Sequence, residues 1–457
     1  MLRRAGRFAL GMALLQPLLS AAQDAAALSF DEARARLEQV SDALAAADAN
    51  QRARQDLSDA AARMRLPEVS LETRYLGFQK TLDLPLGSLA PVAQAFGIDD
   101  PLRFRERDWR LRPMLTTVLP LYTGGQIPAA QAAAAAGVRE AEAERARQSQ
   151  VLVSQLVQAY FGQILAGEAL AVRREVRDGM RQHLAQVESF EREGFATRAQ
   201  VLQAMVARDA SEREYRKAVS RRDAAAAALA LMLRNETPVT PTTPLFVVGA
   251  PLGALEEFTR TALAQHPQLA QLHAMDEQAG ENVRARRAAL KPQLFLFGQY
   301  DLHRQDALLN DSDWAVGVGI KYTLLSGSDR PRRISAARAQ QSQAQAALRE
   351  AENRIAIGVA QAWNALEAAR QQFLLLDSSI EQARENLRLQ ELSFREGQST
   401  SLDVIDAQLG LGGARVERAQ AAYDYGLALA QLLEASGQSA SFGEYARKAD
   451  HRVLSNE

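Results

Sequence analysis

The 457-residue chain contains no cysteine, so neither a disulfide framework nor a thiolate metal site is possible. Its charge is nearly balanced, with 54 Lys and Arg against 55 Asp and Glu, which gives no reason to expect nucleic acid as a partner. Beyond the N-terminus it also lacks the apolar run of ~20 residues that a membrane-spanning helix needs. These absences exclude several classes of protein before any motif is considered.

The first 22 residues have the layout of a secretory signal peptide. Basic residues at positions 3, 4 and 7 precede a mostly apolar segment at 8–19, and Ala22 ends a run of small residues that suits cleavage. A membrane anchor is the alternative, but the apolar segment is shorter than the ~20 residues a span requires. We therefore expect 1–22 to be a signal peptide on an exported protein, which can still enter a membrane as strands.

The chain contains one arrangement twice. Residues 193–204 and 396–407 match when the sequence is shifted by 203 positions. Identical residues occupy five of the matched positions: Glu193, Gly194, Thr197, Val201 and Ala204 fall on Glu396, Gly397, Thr400, Val404 and Ala407. The glycine suits the left-handed residue that ends a helix, and Thr with Gln200 or Asp403 three residues later has the spacing of a capping box. Each copy predicts the tip of a helical hairpin.

The first repeat, 23–236, contains a predicted helix from 28 to about 65 and strands at about 69–78 and 109–122. A long helical hairpin with its tip near 194 follows them. Its first helix, of some 67 residues, extends over roughly 100 Å, a length typical of coiled-coil packing. Residues 78–108 are rich in Gly, Pro and charge and predict a long surface loop.

The second repeat, 254–437, has the same order of elements. It contains a helix at 254–290, strands at about 293–303 and 313–325, and a long hairpin with its tip near 397. The Pro-rich segment 237–253 is a linker between the repeats, and 438–457 is a C-terminal tail.

All four strands alternate apolar and polar residues, which suits a membrane barrel with a wet lumen. Membrane strands must close on themselves, and small barrels need about eight strands. Four strands are too few. We therefore expect the chain to oligomerise, with its helices also packing between copies.

This order of parts resembles the TolC-type outer membrane factor family, the outer membrane efflux proteins. The resemblance covers about 28–437 and is carried by the turn from Pro120 to Gly125 and the motif from Gly397 to Asp406. It implies a mixed α and β membrane protein, a homotrimer with a 12-stranded transmembrane β-barrel continued by a long α-helical periplasmic barrel. It also implies a place in the bacterial outer membrane, in contact with lipid, with a periplasmic extension.

The implied function is that of a passive channel in a tripartite efflux system. Its partners are a periplasmic adaptor (membrane fusion) protein and an inner-membrane transporter, and small molecules pass to the exterior. The exit duct of a type I protein secretion system is the alternative within this class. A soluble periplasmic coiled-coil scaffold or adaptor is the alternative from another class.

Nothing in the sequence suggests an enzyme, because no Ser, Cys or carboxylate constellation is present. The glycines at 410–413 lie within a predicted helix and lack the Lys-Ser/Thr end of a phosphate loop. His266 and His273 have no acidic or thiol partner that would complete a metal site. We expect no cofactor and no metal.

Asp403 and Asp406 lie three residues apart, on one face of a helix. The resemblance places them at the mouth of the tunnel as pore or gate residues, where three copies bring six carboxylates together and favour cations. Alternatively, Asp403 only completes the capping box and Asp406 is a solvated charge; Gln200 and Gln203 at the matching positions support this.

The tip residues are candidates for docking to the adaptor. They are Gly194, Phe195, Thr197, Gly397 and Thr400. Helix punctuation is their alternative role, and Phe195 stands out as an apolar residue at an exposed tip.

Overall fold

The computed structural model describes residues 26–302 and 313–453. The expected signal peptide and the short loop at 304–312 lie outside the described residues. The first half of the chain folds in a simple order. Its elements are β1 (Ala26–Leu28), α1 (Phe30–Val40), α2 (Asp42–Ala62), β2 (Glu68–Leu84), α3 (Ala90–Ala95), β3 (Leu102–Tyr122), α4 (Gln126–Arg192) and α5 (Arg198–Met232).

The second half repeats this order after two short strands in the linker, and the tail adds a helix and a strand. Its elements are β4 (Val239–Pro241), β5 (Leu245–Val247), α6 (Leu255–Gln265), α7 (Pro267–Ala288), β6 (Gln293–Asp301), β7 (Trp314–Lys321), α8 (Arg330–Arg395), α9 (Ser401–Ala435), α10 (Phe442–Lys448) and β8 (His451–Val453). Helices α4 and α8 are 67 and 66 residues long, as expected for the long arms of two hairpins. Within the described residues, no helix combines the length and apolar character needed to cross a membrane.

The helix expected from 28 to about 65 is two helices. Ser41 has extended backbone, and its Oγ accepts a hydrogen bond from the Leu44 N–H at 3.3 Å, so it ends α1 and caps α2. His266 interrupts the helix expected at 254–290 at the matching position of the second repeat. Its Nδ1 accepts from the Gln268 N–H at 3.1 Å, and Pro267 disfavours helical backbone in the residue before it.

Strands β2, β3, β6 and β7 form one antiparallel sheet in that order. The loop predicted at 78–108 is wrong at both of its ends, because β2 and β3 stay paired as far as Leu84 and Leu102. The two strands extend beyond β6 as a two-stranded arm. Its charges, which suggested a loop, are compatible with a ladder in water: the Arg103 Nε donates to Asp83 across the strands at 2.7 Å.

The sheet has one apolar and one polar face, because cross-strand partners point to the same side. The apolar face consists of Val69, Leu71, Tyr75, Leu111, Leu115, Leu294, Leu296, Tyr300, Trp314, Val316, Val318 and Ile320. The opposite face, called the polar face, carries the charged and amide side chains and also two phenylalanines: Glu68, Ser70, Glu72, Arg112, Thr116, Gln293, Phe295, Phe297, Gln299, Asp301 and Lys321. The residues of the apolar face on β7 are 61–74% exposed, so this surface is uncovered in the single chain.

The predicted linker and tail pack into the main core midway along the helices. Strand β4 pairs with β1, and β5 pairs with β8. An aromatic cluster joins these segments to α1 and α4, and its members are Phe30, Tyr160, Phe161, Phe246 and Phe442. The Tyr160 hydroxyl donates to the Leu28 carbonyl at 2.7 Å and accepts from the Thr242 and Thr243 N–H groups at 3.0 Å. Both connecting segments are therefore structural parts of one body.

Candidate functional site: the hairpin tips and the helix faces

Both hairpin tips have the same backbone. Gly194 and Gly397 adopt φ values of +80° and +74°, a region that favours glycine. One residue later, the Phe195 N–H donates to the Phe190 carbonyl and the Gln398 N–H to the Ser393 carbonyl, each at 2.8 Å. These bonds complete a Schellman ending of α4 and of α8. The repeat seen in the sequence is thus a repeat of local geometry.

The predicted capping boxes are present in both tips. In the first, Thr197 Oγ1 accepts from the Gln200 N–H while the Gln200 Oε1 accepts from the Thr197 N–H at 2.8 Å. In the second, the Asp403 carboxylate accepts from the N–H and hydroxyl of Thr400 at 2.8 and 2.7 Å. These bonds from Thr400 lower the pKa of Asp403.

Asp403 therefore has a defined structural role as a capping residue, and it stays ionised at neutral pH. Asp406 is exposed one turn further along α9 and forms no hydrogen bond or ion pair with any described residue. The two carboxylates share the solvent-facing side of the tip. The first tip presents neutral Gln200 and Gln203 instead, so the asymmetry of charge read from the sequence is also an asymmetry of the surface.

The two tips pack on each other through a small apolar cluster. It contains Leu184, Val187, Val201, Ala204, Phe394 and Val404. Next to it, the buried His183 of α4 lies 2.7 Å from the hydroxyl of Ser401, measured from its Nε2, and its ring contacts Phe394. Burial lowers the pKa of His183, and the hydrogen bond with Ser401 opposes that shift.

Sequence reasoning missed His183 and Ser401, since a lone histidine within a long helix gives no local signal of a partner 218 residues away. Phe195 is where it was expected, at the surface of the first tip, with 79% of its area exposed. Its counterpart Gln398 is polar. The first tip thus presents an apolar side chain and the second presents acidic ones.

Equivalent helix faces differ in what covers them. Ile405 of α9 is 5% exposed because it packs on Val172, Val176 and Met180 of α4. Leu202, its counterpart on α5, is 50% exposed. Leu375, the counterpart of Val172 on α8, is 71% exposed, against 5% for Val172. One copy of this helix contact is made within the chain, and the other is left open on both of its sides.

Comparison with known proteins relates this combination of hairpins and sheet to channels of the bacterial outer membrane. Residues 259–438 match the family model described as "Outer membrane efflux protein". Over 188 residues, 39% of this chain and 40% of the relative, the sequence is 27% identical to the outer membrane efflux protein BepC of Brucella suis biovar 1. The match thus spans less than half of the length of that relative.

Solved structures are similar over most of the chain. The Campylobacter jejuni CmeC outer membrane channel superposes with a TM-score of 0.72 at 14% identity, covering 92% of this chain and 90% of its own. The open state of the Neisseria gonorrhoeae MtrE outer membrane channel gives 0.69 at 21% identity, covering 90% and 89%.

These similarities define the class: the chain has the fold of an outer membrane channel subunit, with a membrane-type sheet continued by long helical hairpins. The predicted resemblance to the outer membrane efflux proteins and the predicted fold class are confirmed. At sequence identities of 14% and 21%, the similarity to the solved structures supports the fold alone. What the protein conducts and what it assembles with are proposals.

Proposed function

We propose that the protein is a passive outer membrane channel of an efflux system. In this proposal three copies form a ring whose sheets close into a barrel in the outer membrane and whose helices form a tunnel through the periplasm. An inner-membrane transporter and a periplasmic adaptor deliver small molecules to it. No step of catalysis is involved, since transport through an open duct only requires a continuous wet path.

The observation that carries the proposal is the open helix contact. The contact of Ile405 with Val172 joins α9 and α4 of one chain. By the repeat, the equivalent contact would join α5 and α8. Among the described residues, helices α5 and α8 make no such contact, and Leu202 and Leu375 stay exposed. A neighbouring copy placed by the repeat brings α5 of one chain against α8 of the other and covers both leucines.

The polar positions of this contact also match. Gly412 of α9 lies so close to α4 that a Cβ there would approach the Val176 Cγ2 to 2.5 Å. The counterparts of Gly412 and Val176 are Asp209 on α5 and Ser379 on α8. Both members of the apolar pair are thus replaced by polar residues. Matched changes of this kind favour pairing of these two faces.

The sheet edges lead to the same arrangement. Strand β3 pairs with β6 inside the chain, with Leu115 opposite Tyr300. Their repeat counterparts are β7 and β2, the two edges of the sheet. Carrying the register across puts Val318 opposite Tyr75 of the next copy. Backbone groups at a sheet edge in lipid must be paired, so closure by neighbouring copies satisfies both edges at once.

Three copies supply twelve strands, above the roughly eight that a small barrel requires. The apolar face of the sheet then meets lipid and the polar face lines the lumen. The tips lie at the far end of the helices, where we propose that Gly194, Phe195, Thr197, Gly397 and Thr400 dock the adaptor. Asp403 and Asp406 would line the mouth of the tunnel, with Asp403 serving as cap and charge together.

Paired cysteines test the ring directly, because the chain has no cysteine of its own. Tyr75→Cys with Val318→Cys should give disulfide-linked dimers and trimers in the outer-membrane fraction under mild oxidation. The control is Tyr75→Cys with Ile320→Cys, on the same face but two residues out of register, where the Cα atoms are ~7–8 Å apart and a disulfide does not form readily.

Equal cross-linking of the two pairs would contradict the register, and recovery as a soluble periplasmic monomer would contradict the channel itself. Conductance of the purified protein across a planar bilayer then tests whether the ring encloses a water-filled path.

A further inference from the structure

We propose that a cleft at the inner end of the sheet binds the oxyanion group, carboxylate or phosphate, of transported molecules. The inference rests on the proposed channel function and deepens it by naming a substrate class. The cleft has a volume of about 290 Å³ and lies where α7 leads into β6 and β7 leads into α8. Gln126 at the start of α4 closes one side.

Five cationic side chains line this cleft. They are Arg286 of α7, Lys291 of the following turn, Lys321 at the end of β7, and Arg330 and Arg333 in the first turns of α8. None forms an ion pair with a carboxylate of the described residues. The nearby Asp329 is engaged by Arg332, whose Nε lies 3.0 Å from the Asp329 carboxylate. The cleft is therefore strongly positive without internal compensation.

The fold does not require these charges. At the matching positions of the first repeat, all five residues are uncharged: Ala61, Leu66, Val118, Ile127 and Ala130. The first repeat does contain Arg63 and Arg65 in the corresponding turn, but its β3–α4 side has no cation. Both repeats nevertheless form the same helix–strand–strand–helix unit. The unit therefore folds without these cations, which repel one another. We infer that they are present to bind a ligand of opposite charge.

The neutral lining is suited to the same ligand. Gln293 and Lys321 are cross-strand partners on the polar face of the sheet, the face that the proposed channel turns to its lumen. The Gln293 Nε2 donates to the Gln126 Oε1 at 3.3 Å, which fixes both side-chain amides at the edge of the cleft. Guanidinium groups bind carboxylate and phosphate through two parallel hydrogen bonds, so a molecule in the lumen can present its anionic group to Arg286 and Arg333.

Not every cation contributes equally. Arg330 Nη2 donates to the Thr323 carbonyl at 2.7 Å and so helps to hold the turn after β7. In the proposed register between copies, Lys321 at the end of β7 lies opposite Glu72 of the next chain. Glu72 already forms an ion pair with Arg74, whose Nε lies 2.8 Å from its carboxylate. Arg286, Lys291 and Arg333 are thus the residues most available to a ligand.

The test compares two double variants with the same loss of charge on the same two helices. Arg286→Gln with Arg333→Gln removes two cations of the cleft, and Arg287→Gln with Arg338→Gln removes two other arginines of the same helices, which do not line it and leave the Arg332–Asp329 ion pair intact. Binding of inorganic phosphate to the purified oligomer in detergent is measured by titration calorimetry at low salt. We expect saturable binding to the wild type and to the control, weakened at least ~10-fold in the cleft variant.

Absence of phosphate binding in the wild type, or equal binding by the two variants, would overturn the proposal. Binding in detergent requires no transport, so its outcome is independent of the channel. A second measurement, the reversal potential in a KCl gradient, links the site to conduction: chloride permeability should fall in the cleft variant alone. An oligomer that binds phosphate but conducts no current would refute the channel and leave the anion site standing.

Discussion

Replacing Leu202 and Leu375 by alanine tests whether the open helix faces form the contact between copies. The two residues are 50% and 71% exposed in the chain, and their counterparts Ile405 and Val172 are each 5% exposed. If a neighbour covers the leucines to the same degree, about half of one side chain and two thirds of the other become buried on assembly.

Complete burial of a leucine side chain contributes ~1.5–3 kcal/mol, so the two leucines together contribute about 2–3 kcal/mol at each contact between copies. A closed ring of three contains this contact three times. Truncation to alanine should therefore cost the assembled ring several kcal/mol. The isolated chain should lose no more than about 0.5 kcal/mol, because both side chains are exposed there.

The assay is heat dissociation of the purified oligomer, followed by gel electrophoresis without boiling, with circular dichroism as the measure of helix content. The double variant should dissociate at a lower temperature and keep wild-type helicity. Ile405→Ala is the contrasting variant, since it removes a contact inside the chain and should destabilise the chain itself by ~2–5 kcal/mol. Unchanged dissociation in the double variant would refute the pairing of α5 with α8.

The remaining predictions concern the tips. Asp406→Asn should reduce cation preference in planar-bilayer conductance, and Asp403→Asn should do so while its amide oxygen preserves the cap; unchanged selectivity would leave the carboxylates as cap and solvated charge only. His183 has a pKa held below its ordinary value of 6.5, so its contribution to tip packing is complete above that pH and is lost as the pH falls through the lowered pKa. Protection of the tip amides against hydrogen exchange, after correction for the pH dependence of the intrinsic exchange rate, should accordingly decrease as the pH falls below 6.5, and an equal response in His183→Gln would contradict this. Phe195→Ala should weaken co-purification with the adaptor at least ~5-fold, as loss of a buried aromatic anchor does, whereas Gln398→Ala should not; equal effects would count against docking through the first tip.

Features that depend on neighbouring residues could be predicted from the sequence alone. Gly194 and Gly397 end helices because of their own backbone freedom, and Thr400 with Asp403 caps a helix because three residues of spacing suffice. The length of α4 and the two-faced pattern of the strands are equally local. These features were sufficient to indicate the repeat, the class of fold and the need for neighbouring copies.

The surroundings of each element, by contrast, depend on the three-dimensional packing of distant segments. Leu202 and Ile405 occupy the same position of the repeat and have similar side chains, yet one is exposed and the other buried. The face of α9 that carries Ile405 packs on α4, whereas no described helix of the chain covers the corresponding face of α5. The charged arm of β2 and β3 is a ladder because each strand supplies hydrogen bonds to the other. The cations of the cleft meet because two turns come together at the end of the sheet. Contacts between distant segments depend on packing and pairing that local sequence does not encode, and those contacts define the surfaces on which the proposed function depends.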